Sequence, residues 1–344
     1  MTEPRVAILG AGPAGCAAAL TLGRSGIRPV VLERGLPGKD KPCGDAYLPD
    51  AIALLTSLGL DLTEIDGSRA RSFSAIDLWD ARRPIWTVPL DGQTGVIAPR
   101  AIVDQALRDA AAQCSDLRYG VSVIGITWNE PGWFVQTRAQ GRSGELGPID
   151  AVILAMGAAN TLARSFGIAG DPITGASMTA YLTVADLREP LFQFSPLGLD
   201  GYGWVFPLAN GEVNIGVCAA SQPPRDFRQR TLTYLDMWCP GQTPCLRAGA
   251  GPLWSGRGRT WHDPRGLISC GDAAGLVDPL TGEGIAPALE SGMAGATAVL
   301  GWLAKRETTE LAMYSQLIRE TFEHRYGQTP ARSIWRHLNQ ATAA

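Results

Sequence analysis

The chain begins with short apolar runs separated by a helix-like segment. Residues 5–9 are mostly apolar, a glycine-rich stretch follows, and residues 14–24 are rich in alanine and leucine. A second apolar run ends at Glu33. Strands without polar alternation are typical of a parallel sheet covered on both faces. The pattern therefore predicts a strand–helix–strand unit at the start of the chain.

The middle of the chain follows a different pattern. Apolar and polar residues alternate over 71–90 around a turn, which predicts a β-hairpin, and residues 175–262 are mostly strand-like. A fully apolar run typical of a buried parallel sheet returns at 151–155, and residues 266–270 predict a further strand. The sequence therefore predicts an α/β fold in which a discontinuous, doubly wound domain is interrupted by β-rich material.

These pattern changes predict three structural parts. We expect the doubly wound domain to comprise residues 1–70, 97–165 and 263–304. The inserted β-rich domain, which we expect to bind the substrate, comprises residues 71–96 and 166–262. Amphipathic spacing after the last long helical segment predicts a C-terminal helical tail over residues 305–344.

Composition narrows the class of protein. The 344 residues include 41 glycines and 24 prolines without a period of three, which excludes collagen. The net charge of −3 argues against nucleic acid as a partner. The apolar runs are too short to span a bilayer, so we expect a cytoplasmic protein without a transmembrane segment, and peripheral membrane contact stays open. Seven cysteines without CxxC spacing and three histidines predict no metal site.

A glycine motif marks the first predicted turn. Gly10-x-Gly12-x-x-Gly15 follows a strand and begins a helix, as in dinucleotide-binding folds. Glu33 ends the next strand, where a carboxylate binds ribose and disfavours the extra phosphate of NADP. The motif therefore predicts a site for FAD or NAD. Its candidate residues are Gly10, Gly12, Pro13, Ala14, Gly15, Glu33 and Arg34.

A second motif is more specific. Residues 270–275 and 278–285 resemble the second FAD signature of flavoprotein hydroxylases and of geranylgeranyl reductase-type flavoenzymes. The resemblance implies FAD, with Asp272 near the ribityl or pyrophosphate group and residues 282–285 at a helix start facing the isoalloxazine. A helix N-terminus stabilises negative charge on a reduced flavin. The implied FAD contacts are Gly271, Asp272, Pro279, Gly282, Gly284 and Ile285.

Three further segments narrow the resemblance. Residues 41–44 resemble the segment of geranylgeranyl reductases that lies against the flavin, which implies that Cys43 and Gly44 contact FAD. Residues 201–207, followed by 214–216, resemble the substrate-cavity motif of the same family. Arg100 resembles the arginine that contacts FAD in these enzymes. The resemblance implies that reduced FAD delivers hydride to a carbon–carbon double bond of an organic substrate.

The candidate catalytic residues are Cys43, Asp45, Tyr202 and Trp204. Cys43 either lines the cavity beside the flavin or serves in acid–base chemistry, and its thiol should be protonated because the sequence places no cation beside it. Asp45 is an acid–base candidate. Tyr202 is a substrate contact and Trp204 a cavity wall.

Alternatives to the reductase hypothesis stay open. One is FAD-dependent hydroxylation of an aromatic metabolite or of a peptide side chain, and another is a non-catalytic flavin-binding module. The electron donor is also open, because Met156 occupies the position of the aspartate that hydroxylases using NADPH usually carry. NADH or NADPH could act transiently, or an electron-donor protein could reduce the flavin.

Overall fold

A computed structural model describes most of the chain. It covers residues 4–65, 69–80, 83–158, 161–169, 173–184, 189–219, 222–253, 260–279 and 281–327. The part of the predicted C-terminal helical tail that follows residue 327 lies outside the described residues.

Within these residues, helices and strands alternate along the chain, as expected for an α/β fold. The helices are α1 (Pro13–Arg24), α2 (Pro49–Ser57), α3 (Leu62–Ile65), α4 (Arg100–Cys114), α5 (Thr161–Ser165), α6 (Phe227–Trp238), α7 (Ile285–Lys305) and α8 (Thr309–Gly327). The strands are β1 (Val6–Leu9), β2 (Val30–Glu33), β3 (Ala46–Tyr47), β4 (Arg71–Phe73), β5 (Ala75–Asp80), β6 (Arg83–Pro89), β7 (Gly95–Ile97), β8 (Asp116–Tyr119), β9 (Val121–Asn129), β10 (Gly132–Ala139), β11 (Arg142–Ile149), β12 (Ala151–Leu154), β13 (Ile173–Thr183), β14 (Leu191–Phe194), β15 (Gly201–Pro207), β16 (Glu212–Ala219), β17 (Arg247–Leu253), β18 (His262–Asp263) and β19 (Leu267–Ser269).

A six-stranded sheet forms the first layer, in the order β18-β19-β12-β1-β2-β8. Its pairings are parallel except for the edge strand β18. The predicted strand–helix–strand start is confirmed, because β1 pairs with β2 and α1 connects them. Strands β12 and β19 come from distant parts of the sequence, so the parallel sheet is discontinuous as expected.

The two faces of this sheet are covered differently. Ile8 of β1 packs in a core with residues of α1, α4 and α7, whereas Leu9 packs in a second core with Trp133 and Val135. That second face is covered by the antiparallel sheet β11-β10-β9, which replaces a layer of helices. Strand β11 is not predicted by the sequence pattern, because most of its residues are exposed and lack a strong alternation.

The predicted β-rich insert is present as a seven-stranded sheet in the order β17-β13-β16-β15-β14-β5-β6. It is antiparallel apart from the β14–β5 pair. The expected hairpin corresponds to β5 and β6. One face of this sheet packs on α6. The aromatic side chains of β14 and β15 cluster with Phe73 of β4 and Ile97 of β7, which belong to the small sheet β3-β7-β4.

The described part of the C-terminal tail is a single helix, α8. Its Tyr314 hydroxyl donates to the Ser269 carbonyl at 2.7 Å, and its Tyr326 hydroxyl donates to the Leu276 carbonyl at 2.7 Å. These bonds fasten α8 to the end of β19 and to the segment that follows it. Across the described helices, none combines the length and the apolar character that crossing a membrane requires.

Candidate functional site

A cavity of about 690 Å³ lies between the carboxyl ends of the parallel strands and one face of the seven-stranded sheet. Its volume falls within the range of roughly 300 to 1,000 Å³ that is usual for cofactor and ligand sites. The carboxyl ends of parallel strands are where α/β sheets bind ligands. Of the residues singled out from the sequence, those that line this cavity are Gly10, Gly12, Pro13, Ala14, Glu33, Arg34, Cys43, Gly44, Arg100, Tyr202, Trp204, Asp272, Pro279, Gly282, Gly284 and Ile285.

The glycine loop forms one end of the cavity. Gly10 has a φ of +107°, and a Cβ there would lie 2.3 Å from the Ala155 carbonyl oxygen. A Cβ at Gly12 would meet no atom within 4 Å, because that position faces the open cavity. Gly12 is the N-cap of α1 and adds no side-chain hydrogen bond to its free N–H groups. The loop therefore offers open space and backbone donors to an anion such as a pyrophosphate.

Two of the residues that do not line the cavity support this loop from behind. A Cβ on Gly15 would lie 1.9 Å from the Gly10 carbonyl oxygen, so the helix packs on the loop at backbone distance. A Cβ on Gly271 would lie 3.1 Å from the Ala14 side chain at the start of α1, and the Gly271 N–H donates to the Ser291 hydroxyl of α7 at 2.9 Å.

Glu33 braces the glycine loop with its carboxylate. One oxygen accepts the Ala11 N–H at 2.9 Å and the other accepts the Gly35 N–H at 2.6 Å. Each carboxylate oxygen has a further lone pair, so Glu33 can still accept hydrogen bonds from a ribose. Arg34, next in the chain, is exposed at the rim of the same cavity.

Arg108 is a cavity residue that the sequence analysis missed. Its Nε donates to the Ala11 carbonyl at 3.0 Å, while its Nη1 is buried without a hydrogen-bond partner in the described structure. A buried guanidinium donor without a partner is costly, and a ligand in the cavity could satisfy it. The signal was present in the sequence, because Arg100, Asp104 and Arg108 follow one another at helical spacing on α4.

Arg100 lines the cavity with a buried side chain. Its guanidinium forms a bidentate pair with Asp104, at 3.0 and 2.8 Å, and both side chains are buried. Arg100 also lies beside the Cys43 thiol, so the expectation that no cation would neighbour Cys43 is wrong. Burial nevertheless outweighs this cation and raises the pKa of Cys43, and the thiol is therefore protonated at neutral pH.

Asp272 faces the cavity from the segment after β19. Its carboxylate forms an ion pair with Lys41, at 2.6 Å between Nζ and Oδ2. Burial acts to raise the pKa of Asp272, but the positive charges of Lys41 and Arg100 outweigh it, and the pKa is lowered. Asp272 is therefore a fixed negative charge near neutral pH.

The residues before α7 meet the wall of the β-rich sheet. The Tyr202 hydroxyl donates to the Thr281 carbonyl, and a Cβ on Gly282 would lie 2.8 Å from that hydroxyl. Helix α7 then begins at Ile285 with Gly284 as its N-cap. The cavity thus runs without interruption from the glycine loop to a wall that contains Tyr202.

An aromatic cluster forms that wall. Tyr202 and Trp204 lie with ring centroids 6.0 Å apart, and Phe192 packs edge-to-face on Phe206 at 4.9 Å. Gly44 lies directly on this cluster, since a Cβ there would be 2.7 Å from the Phe206 ring. The segment that contains Cys43 and Gly44 therefore packs so closely on the aromatic wall that position 44 has no room for a side chain.

Asp45 does not line the cavity and lies one layer behind it. Its carboxylate accepts hydrogen bonds from the Arg100 N–H at 3.1 Å, from Asn214 Nδ2 at 2.7 Å and from the Tyr181 hydroxyl. Burial raises its pKa, and these three donors oppose the shift. Asp45 is thus placed to hold its neighbours in position rather than to contact a substrate.

Among the residues that the structure describes, the acidic and sulfur-containing side chains do not assemble a metal centre. Throughout the described ranges, no three His, Cys, Asp or Glu side chains are grouped so that they could hold a metal ion. The seven cysteines are all free thiols. To a ligand, the lining of the cavity offers the backbone of the glycine loop, the charged residues described above and the aromatic wall.

Comparisons with known proteins agree with this geometry. Residues 3–132 match a family model described as an FAD binding domain. A menaquinone reductase of Mycolicibacterium smegmatis is 35% identical over 85% of this chain and 75% of its own length. A chloroplastic geranylgeranyl diphosphate reductase of Nicotiana tabacum is 29% identical over 86% of this chain and 66% of its own.

A solved structure has the same fold over most of the chain. It is a geranylgeranyl bacteriochlorophyll reductase-like protein from Thermoplasma acidophilum, with a TM-score of 0.80 and 22% identity. The alignment covers 94% of this chain and 85% of the other. The α/β architecture with a strand-rich insert is therefore shared with that protein.

Proposed function

This chain belongs to the geranylgeranyl reductase-type family of FAD-dependent oxidoreductases, and we propose that it reduces a carbon–carbon double bond of an isoprenoid lipid. The observation that carries this proposal is the single cavity that joins the glycine loop to the aromatic wall. A cofactor and an apolar substrate can share such a cavity. The relatives named above are reductases of menaquinone and of geranylgeranyl diphosphate, which both carry isoprenoid chains.

The glycine-loop end fits FAD. Open space at Gly12, the N-terminus of α1 and the unpartnered Nη1 of Arg108 would hold the pyrophosphate, and Glu33 would hold the ribose. The N-terminus of α7 at Ile285 would face the isoalloxazine edge. Bound FAD supplies the hydride, and the protein orients the ring and excludes water.

The opposite end would orient the substrate. Reduction of a double bond takes one hydride and one proton, and Cys43 lines the cavity with its thiol proton in place. We therefore assign Cys43 to the wall beside the reacting carbon, as a lining residue whose thiol is a candidate proton donor. The Tyr202 hydroxyl is engaged in a hydrogen bond to the Thr281 carbonyl, so we assign to its ring, together with that of Trp204, the positioning of the substrate.

The proposal also covers the source of the electrons and the place in the cell where the enzyme works. We infer that NADH or NADPH reduces the flavin during a transient encounter, or that an electron-carrying protein does so. We further infer that the enzyme works in the cytoplasm and meets its lipid at a membrane surface. We keep the domain boundaries predicted from the sequence, with residues 71–96 and 166–262 as the substrate domain.

The decisive experiment separates reduction from hydroxylation. The holoenzyme is photoreduced without oxygen and mixed with menaquinone or geranylgeranyl diphosphate, and flavin absorbance and product mass are followed. We expect the flavin to be reoxidised and the lipid to gain two hydrogens. A product that gains oxygen when air is admitted would assign the enzyme to the hydroxylases, and a protein that binds no FAD would overturn the proposal.

A pair of variants tests the assignment of Cys43. If the thiol donates the proton, Cys43→Ala should slow product formation while Cys43→Ser, which keeps a hydroxyl proton, retains more of the rate. If Cys43 only lines the cavity, both variants should leave the catalytic rate near that of the native enzyme and alter substrate affinity instead.

A further inference from the structure

Asn214 of β16 has a hydrogen-bonding neighbour at each position that its side-chain amide offers. Its Oδ1 accepts from the Trp204 indole at 2.9 Å and lies 2.7 Å from the Thr179 hydroxyl, whose one hydrogen is shared with the Ile215 carbonyl at 2.9 Å. Its Nδ2 donates to the Cys43 carbonyl at 2.8 Å and to Asp45 at 2.7 Å. Two lone pairs and two N–H groups are the full capacity of an amide, and Asn214 is 0% exposed.

The orientation of this amide is fixed by chemistry. An indole N–H is only a donor, so the oxygen of Asn214 must face Trp204. The nitrogen must then face the Cys43 carbonyl and the Asp45 carboxylate, which are both acceptors. A flipped amide would place donor against donor and acceptor against acceptor, so only one arrangement satisfies the site.

The partners of Asn214 belong to two different sides of the cavity wall. Cys43 and Trp204 both line the cavity, whereas Asn214 lies behind it. Cys43 precedes β3 and is 171 residues away from Asn214 in the sequence. One buried amide thus ties the loop of Cys43 to the aromatic wall of the seven-stranded sheet.

We propose that Asn214 is a positioning residue, which sets the distance between the Cys43 segment and the Trp204 ring across the substrate end of the cavity. This inference rests on the proposed reduction, because that reaction is what the spacing would serve. A misplacement of about 1 Å can cost roughly a hundredfold in rate, so a residue that never touches the substrate can still control the reaction.

Asn214→Asp in the holoenzyme tests this inference. The substitution keeps the shape but sets an oxygen against the Cys43 carbonyl and the Asp45 carboxylate. We expect kcat to fall roughly a hundredfold while FAD content stays native, because the glycine loop is untouched. Thr231→Val is the matched control. Thr231 lies in α6, which packs on the opposite face of the same sheet, and the substitution removes the buried hydrogen bond from its hydroxyl to the Phe227 carbonyl.

A charge-swapped double variant separates positioning from stability. Asp45→Asn combined with Asn214→Asp restores a donor–acceptor pair between positions 45 and 214, so the protein should fold even if the single variant does not. The Cys43 carbonyl still lacks its donor. We expect the melting temperature to recover and kcat to stay low; recovery of both would limit Asn214 to a structural role and overturn the inference.

A readout without substrate keeps this inference separate from the proposed function. Alkylation of Cys43, followed by mass spectrometry of its peptide, should be faster in Asn214→Asp than in the native protein or in Thr231→Val. If the native enzyme reduces no double bond but this difference is found, the proposed function fails and the positioning of Cys43 stands. Unchanged alkylation and unchanged kcat would refute the role of Asn214.

Discussion

The two ends of the cavity are built from different parts of the polypeptide. The nucleotide end is a backbone surface, in which Gly10 and Gly15 allow close approach and Gly12 leaves open space. The substrate end depends on buried side chains, with Asn214 and Asp45 holding the wall through hydrogen bonds. Where backbone segments pack directly on each other, an added side chain causes a steric clash. Where buried side chains hold each other by hydrogen bonds, a substitution that exchanges a donor for an acceptor breaks the network. The two ends should therefore fail in different ways when they are altered.

The largest effect is expected at the nucleotide end. In Gly15→Ala the new Cβ would lie 1.9 Å from the Gly10 carbonyl oxygen, and neither backbone segment can yield. We expect a loss of more than about 4 kcal/mol in the free energy of unfolding, measured by urea denaturation. Gly12→Ala is the matched control, since its Cβ meets only open space. It should fold normally and bind FAD roughly tenfold more weakly; native stability of Gly15→Ala would contradict the packing described above.

A smaller effect is expected from a glycine at the substrate end. In Gly44→Ala the Cβ would lie 2.7 Å from the Phe206 ring and 3.3 Å from the Trp204 nitrogen. Side chains can move where backbone cannot, so the protein should fold. We expect kcat/KM to fall roughly tenfold. Gly44 is itself a candidate FAD contact, so FAD affinity should also fall, but less than in Gly12→Ala. Equal losses of FAD binding and of turnover would mean that the two ends are not separable.

The same contrast explains why the nucleotide end could be predicted from the sequence and most of the substrate end could not. The nucleotide end follows from local spacing, because its glycines and Glu33 fall within one strand–helix–strand unit. The partners Asp45 and Asn214 are 169 residues apart and follow no period, so their hydrogen bond could not be predicted. Arg108 was predictable from helical spacing and was missed. The sheet β9–β11 that covers the second face was also missed as a layer, because its outer residues are exposed.

Glu283 lies between the cavity residues Gly282 and Gly284 in the sequence but does not line the cavity itself. Burial raises its pKa from 4.5 to about 7, while Arg325 acts to lower it. The folded state therefore binds this proton more tightly than the unfolded chain does. The associated stability is present below about pH 4.5 and is lost as the pH rises through about 7.

Glu283→Gln should accordingly stabilise the protein at alkaline pH. We expect a gain of roughly 1 to 3 kcal/mol above pH 7 that disappears near pH 4.5, because one pKa unit corresponds to about 1.4 kcal/mol. Thermal unfolding across this pH range measures it, with the exposed Glu64→Gln as the control. A gain that is independent of pH would assign the effect to packing instead of charge.

The smallest effect is expected from the ion pair between Lys41 and Asp272, which links the loop of Cys43 to the segment before α7. The pair is close, at 2.6 Å, but the Lys41 side chain is 52% exposed. Exposed pairs contribute about 0.2 to 1 kcal/mol and are screened by salt, so Lys41→Met should lower stability by no more than that, and the loss should vanish at high ionic strength.

Removing Lys41 also raises the pKa of Asp272, because the cation that most strongly holds it down is lost. The stability that this carboxylate contributes is present above its unfolded pKa of 3.8 and is lost as the pH falls through the lower folded value. The difference between Lys41→Met and the native protein should therefore shrink in acid, where both carry a protonated Asp272. A loss of unfolding free energy well above about 1 kcal/mol that persists in salt would contradict this expectation. It would mean that the Lys41–Asp272 pair couples the nucleotide end to the substrate end, so that the glycine loop and the hydrogen bonds of Asn214 do not hold the two ends independently.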